Sequence, residues 1–260
     1  SIPLYRKMGW EIISNKITYS VKDRQIPEKA TAPGYVRRVD WENEDFRNLH
    51  TQFATMTHGC LFRNALAWEE YWRWDEDDTV VAIYYDTNRH PCGYMVYLIK
   101  DDIMHIKEMI YLTREAQAGL WEYIRAHDSM IDEVRGSSYF SEPIAFELED
   151  GDIRETIRPY IMGRIVDVRQ FFQKYPCDPT AENVIIAFEI EDPFLAWNNA
   201  TVAVRFHRGA CHVVEAEAHH RAKLSIATLT TLLLGYKTAA KLHWMGRIES
   251  DRETVQLLDD

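Results

Sequence analysis

No apolar run in this chain is longer than a single β-strand. The longest, such as residues 94–99 (YMVYLI), fall far short of the ~20 apolar residues that a membrane-spanning helix requires. The 46% of hydrophobic residues must therefore be buried by packing many short elements together, and that fraction is ordinary for a folded chain. A length of 260 residues suits one large domain or two of usual size. The formal charge of −11 argues against general nucleic-acid binding, because phosphates select basic surfaces and the stretches YVRRVDW and HHRAK are too short to make one. Neither a nucleic-acid partner nor a membrane partner is expected.

The cysteines, Cys60, Cys92, Cys177 and Cys211, include no CxxC pair, so a zinc site built on cysteine is not expected. Without a secretory signal, the expectation is reduced thiols in a cytoplasmic protein. His219 and His220 are chain neighbours and cannot face one metal from a helix, while His207 and His212 flank the turn HRGACH and read as solvent-facing hairpin residues. No metal is expected. The opening SIPLYRKMGW lacks an initiator methionine and the close ESDRETVQLLDD lacks a cap, so the sequence reads as a fragment.

Along the chain, PLYRKMG predicts a short helix stopping at Gly9, a residue able to take the left-handed conformation. WEIISNKITYSV predicts two strands joined by SNK. A lone hairpin is not stable, so its sheet is expected to be completed by strands outside this sequence. Residues 25–34, with Pro27, Pro33 and Gly34, read as a linker.

Residues 35–176 begin with the strand YVRRVDW and a helix capped by Asp40, with Phe46, Leu49, Phe53 and Met56 on one face. An aromatic helix follows, and its stripe of Trp68, Tyr71, Trp72 and Trp74 reads as core rather than a ligand box. Three strands then lead to a helix opened by Thr113 that buries Leu120, Trp121 and Ile124. Further strands (EVRGSSYF, IAFELE) and the closing helix DVRQFFQKYP complete an α+β sandwich with helices on a twisted sheet. In residues 177–260 three strands (VIIAFEIED, FLAWNNATVAVRFH, CHVVEAEA) turn at Asn198–Asn199 and Arg208–Gly209. The tail from RAKL onward is predicted helical, with Ile226, Leu229, Leu232 and Leu233 on one face and a break at Gly235. This is a smaller α/β domain with its sheet first and its helices last.

No GxSxG, GxxxxGK[ST], HExxH or GxGxxG motif occurs. The informative segment is LYRKMGW, where Tyr5 precedes a Gly-aromatic pair by four residues on a helix end leading into strands. With the order of the parts that follow, and with the F.I.D and W.N pattern of Phe188, Ile190, Asp192, Trp197 and Asn198, the chain resembles the Eis-type (enhanced intracellular survival) N-acetyltransferases of the GCN5-related (GNAT) family. The resemblance spans essentially all of the chain, read as the C-terminal two-thirds of such a protein. The order of parts carries it more than any one motif.

The resemblance implies an α+β fold, a GNAT-like mixed sheet with flanking helices followed by a smaller sterol-carrier-like α/β domain. Residues 1–24 would be the C-terminal hairpin of a first GNAT domain, 25–34 a linker, 35–176 a second GNAT-like domain and 177–260 a sterol-carrier-protein-like domain. It also implies acetyl transfer from acetyl-CoA, as co-substrate, to a primary amine on a small cationic acceptor, which an acidic chain would steer inward. A homo-oligomer is expected.

Tyr5 matches the tyrosine that, in the family, protonates the leaving thiolate of coenzyme A. Free phenols titrate near ~10 and thiols near ~8.5, so that proton transfer is feasible. The other reading of Tyr5 is that it packs its helix. Lys7 is a basic residue on the same turn without an assigned role, and Met8 and Trp10 are expected in the core.

Two features depart from the family. The strand–helix junction at residues 112–117 has no glycine before Gly119, and Glu115 would repel phosphate, so the second domain is expected to lack the cofactor loop. The close, QLLDD, offers Asp259 and Asp260 but no terminal aromatic residue, so the family's C-terminal carboxylate role is not transferred to Asp260. A non-catalytic alternative is a lipid-binding or subunit-assembling module, although TLTTLLLGY is equally explained by an ordinary core.

Overall fold

The computed structural model describes residues 1–27, 31–57, 60–74, 78–138, 143–180 and 183–259. Helix α1 (Ile2–Lys7) leads to strands β1 (Glu11–Ile12), β2 (Asn15–Lys22) and β3 (Tyr35–Val39), then to helices α2 (Glu44–Met56) and α3 (Ala65–Trp72). Strands β4 (Val80–Tyr85), β5 (Pro91–Lys100) and β6 (Ile103–Tyr111) precede α4 (Arg114–Arg125), β7 (Glu133–Ser138), β8 (Arg154–Pro159), β9 (Met162–Gly163) and α5 (Val168–Phe172). The remainder is β10 (Val184–Glu191), β11 (Thr201–His207), β12 (Ala210–Val214), β13 (His220–Ser225), α6 (Ile226–Leu233), α7 (Ala239–Trp244), β14 (Ile248–Glu249) and α8 (Arg252–Asp259). Among the described residues, no helix is long and apolar enough to cross a membrane. The chain divides into two compact units, residues 15–159 and residues 1–14 with 160–260.

The first unit is built on a seven-stranded mixed sheet in the order β3-β4-β5-β6-β7-β2-β8. Helix α4 covers one face over Tyr19, Met95, Met104, Ile106 and Val134. Helices α2 and α3 cover part of the other, where Phe46, Leu49 and Trp68 meet Ile83, Tyr94 and Ile110. Burial on both faces explains the near-continuous apolar runs of β4 and β5.

Several local expectations are corrected here. The hairpin over residues 11–21 does not form, because β1 pairs with β9 while β2 lies antiparallel between β7 and β8. The strands that complete the sheet of β2 are thus within this chain. Asn43, not Asp40, caps α2, accepting the Asp45 and Phe46 N–H groups at 3.0 and 3.3 Å. Asp40 instead accepts the Glu42 N–H at 2.8 Å in the turn before it. Met56, on the last turn of α2, is exposed, as is Trp74. The segment IAFE is a 3-10 turn rather than a strand, with Ile144 buried and Phe146 pointing outward. Two residues span about 240° in that helix, so positions that alternation places together end on opposite sides.

The second unit holds a five-stranded sheet, β12-β11-β10-β13-β14, with β10 and β13 parallel. RAKL is therefore strand β13 near the sheet centre, not the start of the helical tail; Ser225 caps α6 immediately after it. The predicted turn at Arg208–Gly209 is a tight one, with φ of 49° and 85° at its two residues. Such a connection requires positive φ at both positions. Ile226, Leu229, Leu232 and Leu233 are all buried, and Phe172 stacks on Phe188 with ring centroids 5.3 Å apart.

Candidate functional site

In the unit of residues 15–159, β6 and β7 pair in parallel only from Ile103–Glu133 to His105–Arg135, then part. A bulge at Lys107 accompanies the divergence, since Glu108 pairs with Val96 and Ile106 with Tyr97. The bulge breaks the alternation of β6, sending Ile106 and Glu108, two residues apart, to opposite faces. Where the strands separate, a cleft of about 680 Å³ opens, lined by Thr18, Ser20, His105, Arg135, Ser137 and Thr156 among others. Its volume lies in the usual range for small-molecule sites. Arg135 grips Glu133 with both ends of its guanidinium at 2.7 and 2.8 Å, and this pairing holds the Glu133 carboxyl down at about 2. Tyr19 also borders the cleft; its hydroxyl is buried without a hydrogen-bond partner among the described residues. A side chain at Gly136 would collide with that ring.

The turn from β6 into α4 determines whether this unit offers a phosphate cradle. Thr113 caps the helix, its Oγ1 accepting the Ala116 N–H at 3.1 Å. Glu115 sits in the first turn and accepts the Tyr84 hydroxyl at 2.6 Å. Burial, joined by that hydrogen bond, pushes the Tyr84 hydroxyl up to about 12. One helix-end N–H is thus already satisfied, and a carboxylate occupies the position where a phosphate would need positive potential. The residues at this junction do not fit a coenzyme pyrophosphate.

Sequence reasoning missed a charge cluster on the α2–α3 side of the sheet. Arg63 donates to both oxygens of the fully buried Glu108 at 3.0 and 2.5 Å, and Tyr94 donates to the same carboxylate. His50 places Nε2 3.1 Å from the Leu61 carbonyl and Nδ1 3.1 Å from the Tyr94 hydroxyl. Burial, with the Arg63 charge second, pushes the His50 imidazole below its ordinary value. The Arg63 guanidinium also lies over Tyr71 and Trp68, 4.1 and 4.8 Å from the ring centroids. The only signal in the sequence was the Arg itself beside an aromatic helix, and its partner is 45 residues away.

Tyr5 belongs to the other unit. It lies on α1, which buries none of its residues, and its ring meets the edge of Trp10 at 5.6 Å. Met8 is also partly exposed, against the expectation of a core position. The neighbouring Arg6 donates to the buried Glu11 at 3.0 and 2.8 Å, and Arg247 donates to the other oxygen of Glu11 at 2.6 Å. Burial would raise the Glu11 carboxyl, but the Ile12 N–H and the two guanidiniums outweigh it and hold it low. Gly9 has φ of 79°, and a side chain there would strike the Arg164 guanidinium. Thr231 Oγ1 donates to the Ile12 carbonyl at 2.8 Å, fixing β1 against α6.

The F.I.D and W.N residues form a hub in the same unit. Arg164 donates to both oxygens of Asp192 at 2.8 and 2.6 Å, and Asn198 adds a third donor at 2.8 Å. Trp197 Nε1 and Asn198 Nδ2 both donate to the Val166 carbonyl, at 3.0 and 3.1 Å. These positions therefore bind the end of β10 to the segment before α5. Asp259 accepts the Ala239 and Ala240 N–H groups, capping α7, whereas Asp260 lies outside the described residues. His220, Asp251 and Glu253 bring potential ligand atoms within 4.8 Å of one another. Asp251, however, already caps α8 through the Thr254 N–H and hydroxyl at 2.8 and 2.9 Å.

Residues 59–165 match a family profile described as an acetyltransferase (GNAT) domain, and residues 168–260 match one described as a sterol carrier protein domain. No curated protein matches the chain. Among solved structures, a conserved Enterococcus faecalis protein of unknown function, assigned as a probable N-acyltransferase, is 26% identical with a TM-score of 0.90, covering 100% of this chain and 67% of its own. A GCN5-related N-acetyltransferase from Anabaena variabilis (22%, TM-score 0.85) and Eis1 from Mycobacterium abscessus (17%, TM-score 0.76) share the fold, again over 100% of this chain and 67% of each neighbour. The GNAT fold supports acyltransferase chemistry in general, and its acetyltransferases generally use acetyl-CoA. This chain thus carries a GNAT acetyltransferase domain followed by a sterol-carrier-protein-like domain.

Proposed function

We propose that the chain serves an acetyl-CoA-dependent N-acetyltransferase that modifies a primary amine of a small cationic acceptor, as an Eis-type enzyme acting as a homo-oligomer. Catalysis is centred on a first GNAT domain, with Tyr5 as the general acid. The observation that carries this reading is the presentation of Tyr5. It stands half-exposed on a helix that buries nothing, yet the next residue, Arg6, is anchored through Glu11 to Arg247. A held but exposed phenol is suited to hand a proton to a departing thiolate.

In an assay of the full-length protein with acetyl-CoA and a polyamine or aminoglycoside, Tyr5→Phe is expected to slow coenzyme A release by about 10²–10⁴-fold. An unchanged rate removes Tyr5 from the mechanism. The occupied junction at Thr113 and Glu115 supports placing the cofactor elsewhere than in residues 35–176. Calorimetry of the 260-residue chain with acetyl-CoA is accordingly expected to show no binding, and saturable binding there would overturn that placement. The lipid-carrier alternative is less well supported, because the stripe from Ile226 to Leu233 is already packed against Phe188 and its neighbours in the core.

A further inference from the structure

One face of the seven-stranded sheet carries a charge balance opposite to that of the chain. The pairing register sets Arg135 of β7 beside Ser20 of β2, and Ser20 beside Arg154 of β8. His105 of β6 pairs with Arg135 from the other side. These four residues form one row across four strands, and paired positions put all four side chains on the same face. The next row on that face is Ser137, Thr18 and Thr156, and the one beyond pairs Lys16 with Arg158. Lys22 stands opposite Glu133 at the other end. Across β2, β7 and β8 this face thus sets Lys16, Lys22, Arg135, Arg154 and Arg158 against one carboxylate, Glu133, in a chain of net charge −11.

The cleft of about 680 Å³ lies over the arginine row and the hydroxyl row. It already seats one carboxylate, because the Arg135 fork and the Ser20 hydroxyl both donate to Glu133. Arg154 is exposed and has no such partner among the described residues. We propose that this cleft binds a small polycarboxylate, a molecule with two or three carboxylates on a short carbon frame. Arg154 takes one carboxylate through its planar fork, the geometry in which a guanidinium binds that group most strongly. Thr18, Ser137 and Thr156 supply hydroxyl donors beneath it, and a second carboxylate meets His105 and the outer side of Arg135. Arg135 and Arg154 are two strand spacings apart, roughly 10 Å between their backbones, a span that one short molecule bridges once both side chains lean inward. Lys16, Lys22 and Arg158 at the margins raise the local concentration of anions. Carboxylate is favoured over phosphate because every lining residue lies on a strand except Thr79, just before β4, so no helix N-terminus opens into the cleft to cradle a phosphate. This inference does not rest on the proposed acetyl transfer.

The test is calorimetric titration of the 260-residue chain with citrate at low ionic strength. Saturable binding at one site is expected, and it should weaken as salt is added. Arg154→Ala should weaken citrate by at least about tenfold, the usual loss when a hydrogen bond between charged groups is removed. The melting temperature of that variant without citrate should match the parent's, since the side chain is exposed and unpaired. Thr156→Val should weaken binding by a smaller factor, and pyrophosphate should bind less tightly than citrate. Three results would overturn the proposal: no saturable citrate binding, an undiminished affinity in Arg154→Ala, which places citrate elsewhere, or pyrophosphate binding as tightly as citrate, which marks a site for phosphate or for any anion.

Discussion

Replacing Arg164 by alanine is expected to destabilise the unit of residues 1–14 and 160–260 by about 3–5 kcal/mol, the usual cost of stranding a buried charge. The Arg164 side chain is 4% exposed and that of Asp192 is wholly buried. Without the guanidinium, Asp192 would keep the Asn198 amide and the Phe194 and Leu195 N–H groups at 2.8, 2.9 and 3.0 Å, but no opposing charge. The Met8 carbonyl would lose its Arg164 donor as well. Urea unfolding of the variant and its parent measures the difference, and a loss below about 1 kcal/mol would mean that water replaces the arginine. Pairing Arg164→Ala with Asp192→Asn should recover part of the loss, since the second change removes the stranded charge.

The same pair sets a pH dependence. Burial alone would raise the Asp192 carboxyl, but Arg164, Asn198 and two backbone N–H groups hold it below the ordinary carboxylate value. A carboxyl depressed on folding contributes its full stability above the unfolded value of ~3.9 and loses it as pH falls through the folded value. The parent should therefore lose this stability only in strong acid. In Arg164→Ala the protonation should occur at higher pH, bringing acid unfolding closer to neutrality.

The second large effect is expected at Arg63. Changing it to methionine leaves Glu108 buried with the Tyr94 hydroxyl and no cation, at a cost of about 3–5 kcal/mol to the unit of residues 15–159. The stacking of the guanidinium on Tyr71 and Trp68 is lost with it. Replacing both partners by apolar residues, Arg63→Met with Glu108→Leu, should regain most of the stability, because neither charge then has to be desolvated. If the single variant were as stable as the parent by thermal unfolding, the pair would have no net structural value. His50 supplies a readout inside the cluster. Arg63 is the second cause, after burial, of its lowered pKa, so the imidazole should titrate at higher pH in Arg63→Met, as followed by NMR.

Local features of this fold were legible wherever one short segment supplied the cause. Thr113 opens α4 because a threonine hydroxyl can take the third N–H of the helix beyond it, and Leu120, Trp121 and Ile124 then fall on one buried face. Gly9 and Gly209 take positive φ as glycine allows, and Arg208 is held there by the tight turn it shares with Gly209. Asn43 caps α2 although Asp40 is as good a cap by residue type, because only the chain path into the helix separates them. The candidate site was half legible. Tyr5 stood out by its spacing to Gly9 and Trp10, but nothing local showed that Arg6 and Arg247 would converge on Glu11.

What the sequence determined by itself was the set of elements held together by neighbours in the chain: most helix-face positions, the Thr113 cap, the tight turn at Arg208–Gly209 and the absence of any apolar run beyond strand length. Tertiary structure decided the partners. It placed β2 between β7 and β8, put RAKL beside β10 as a parallel strand, and opened the cleft where β6 leaves β7. It also paired Arg164 with Asp192 and Arg63 with Glu108. A strand's alternation specifies which face is apolar but not which strand will satisfy its backbone N–H and C=O groups, and a buried charge does not name its counter-ion. Those choices are made by the whole core, where every backbone group and every charge must be paired at once.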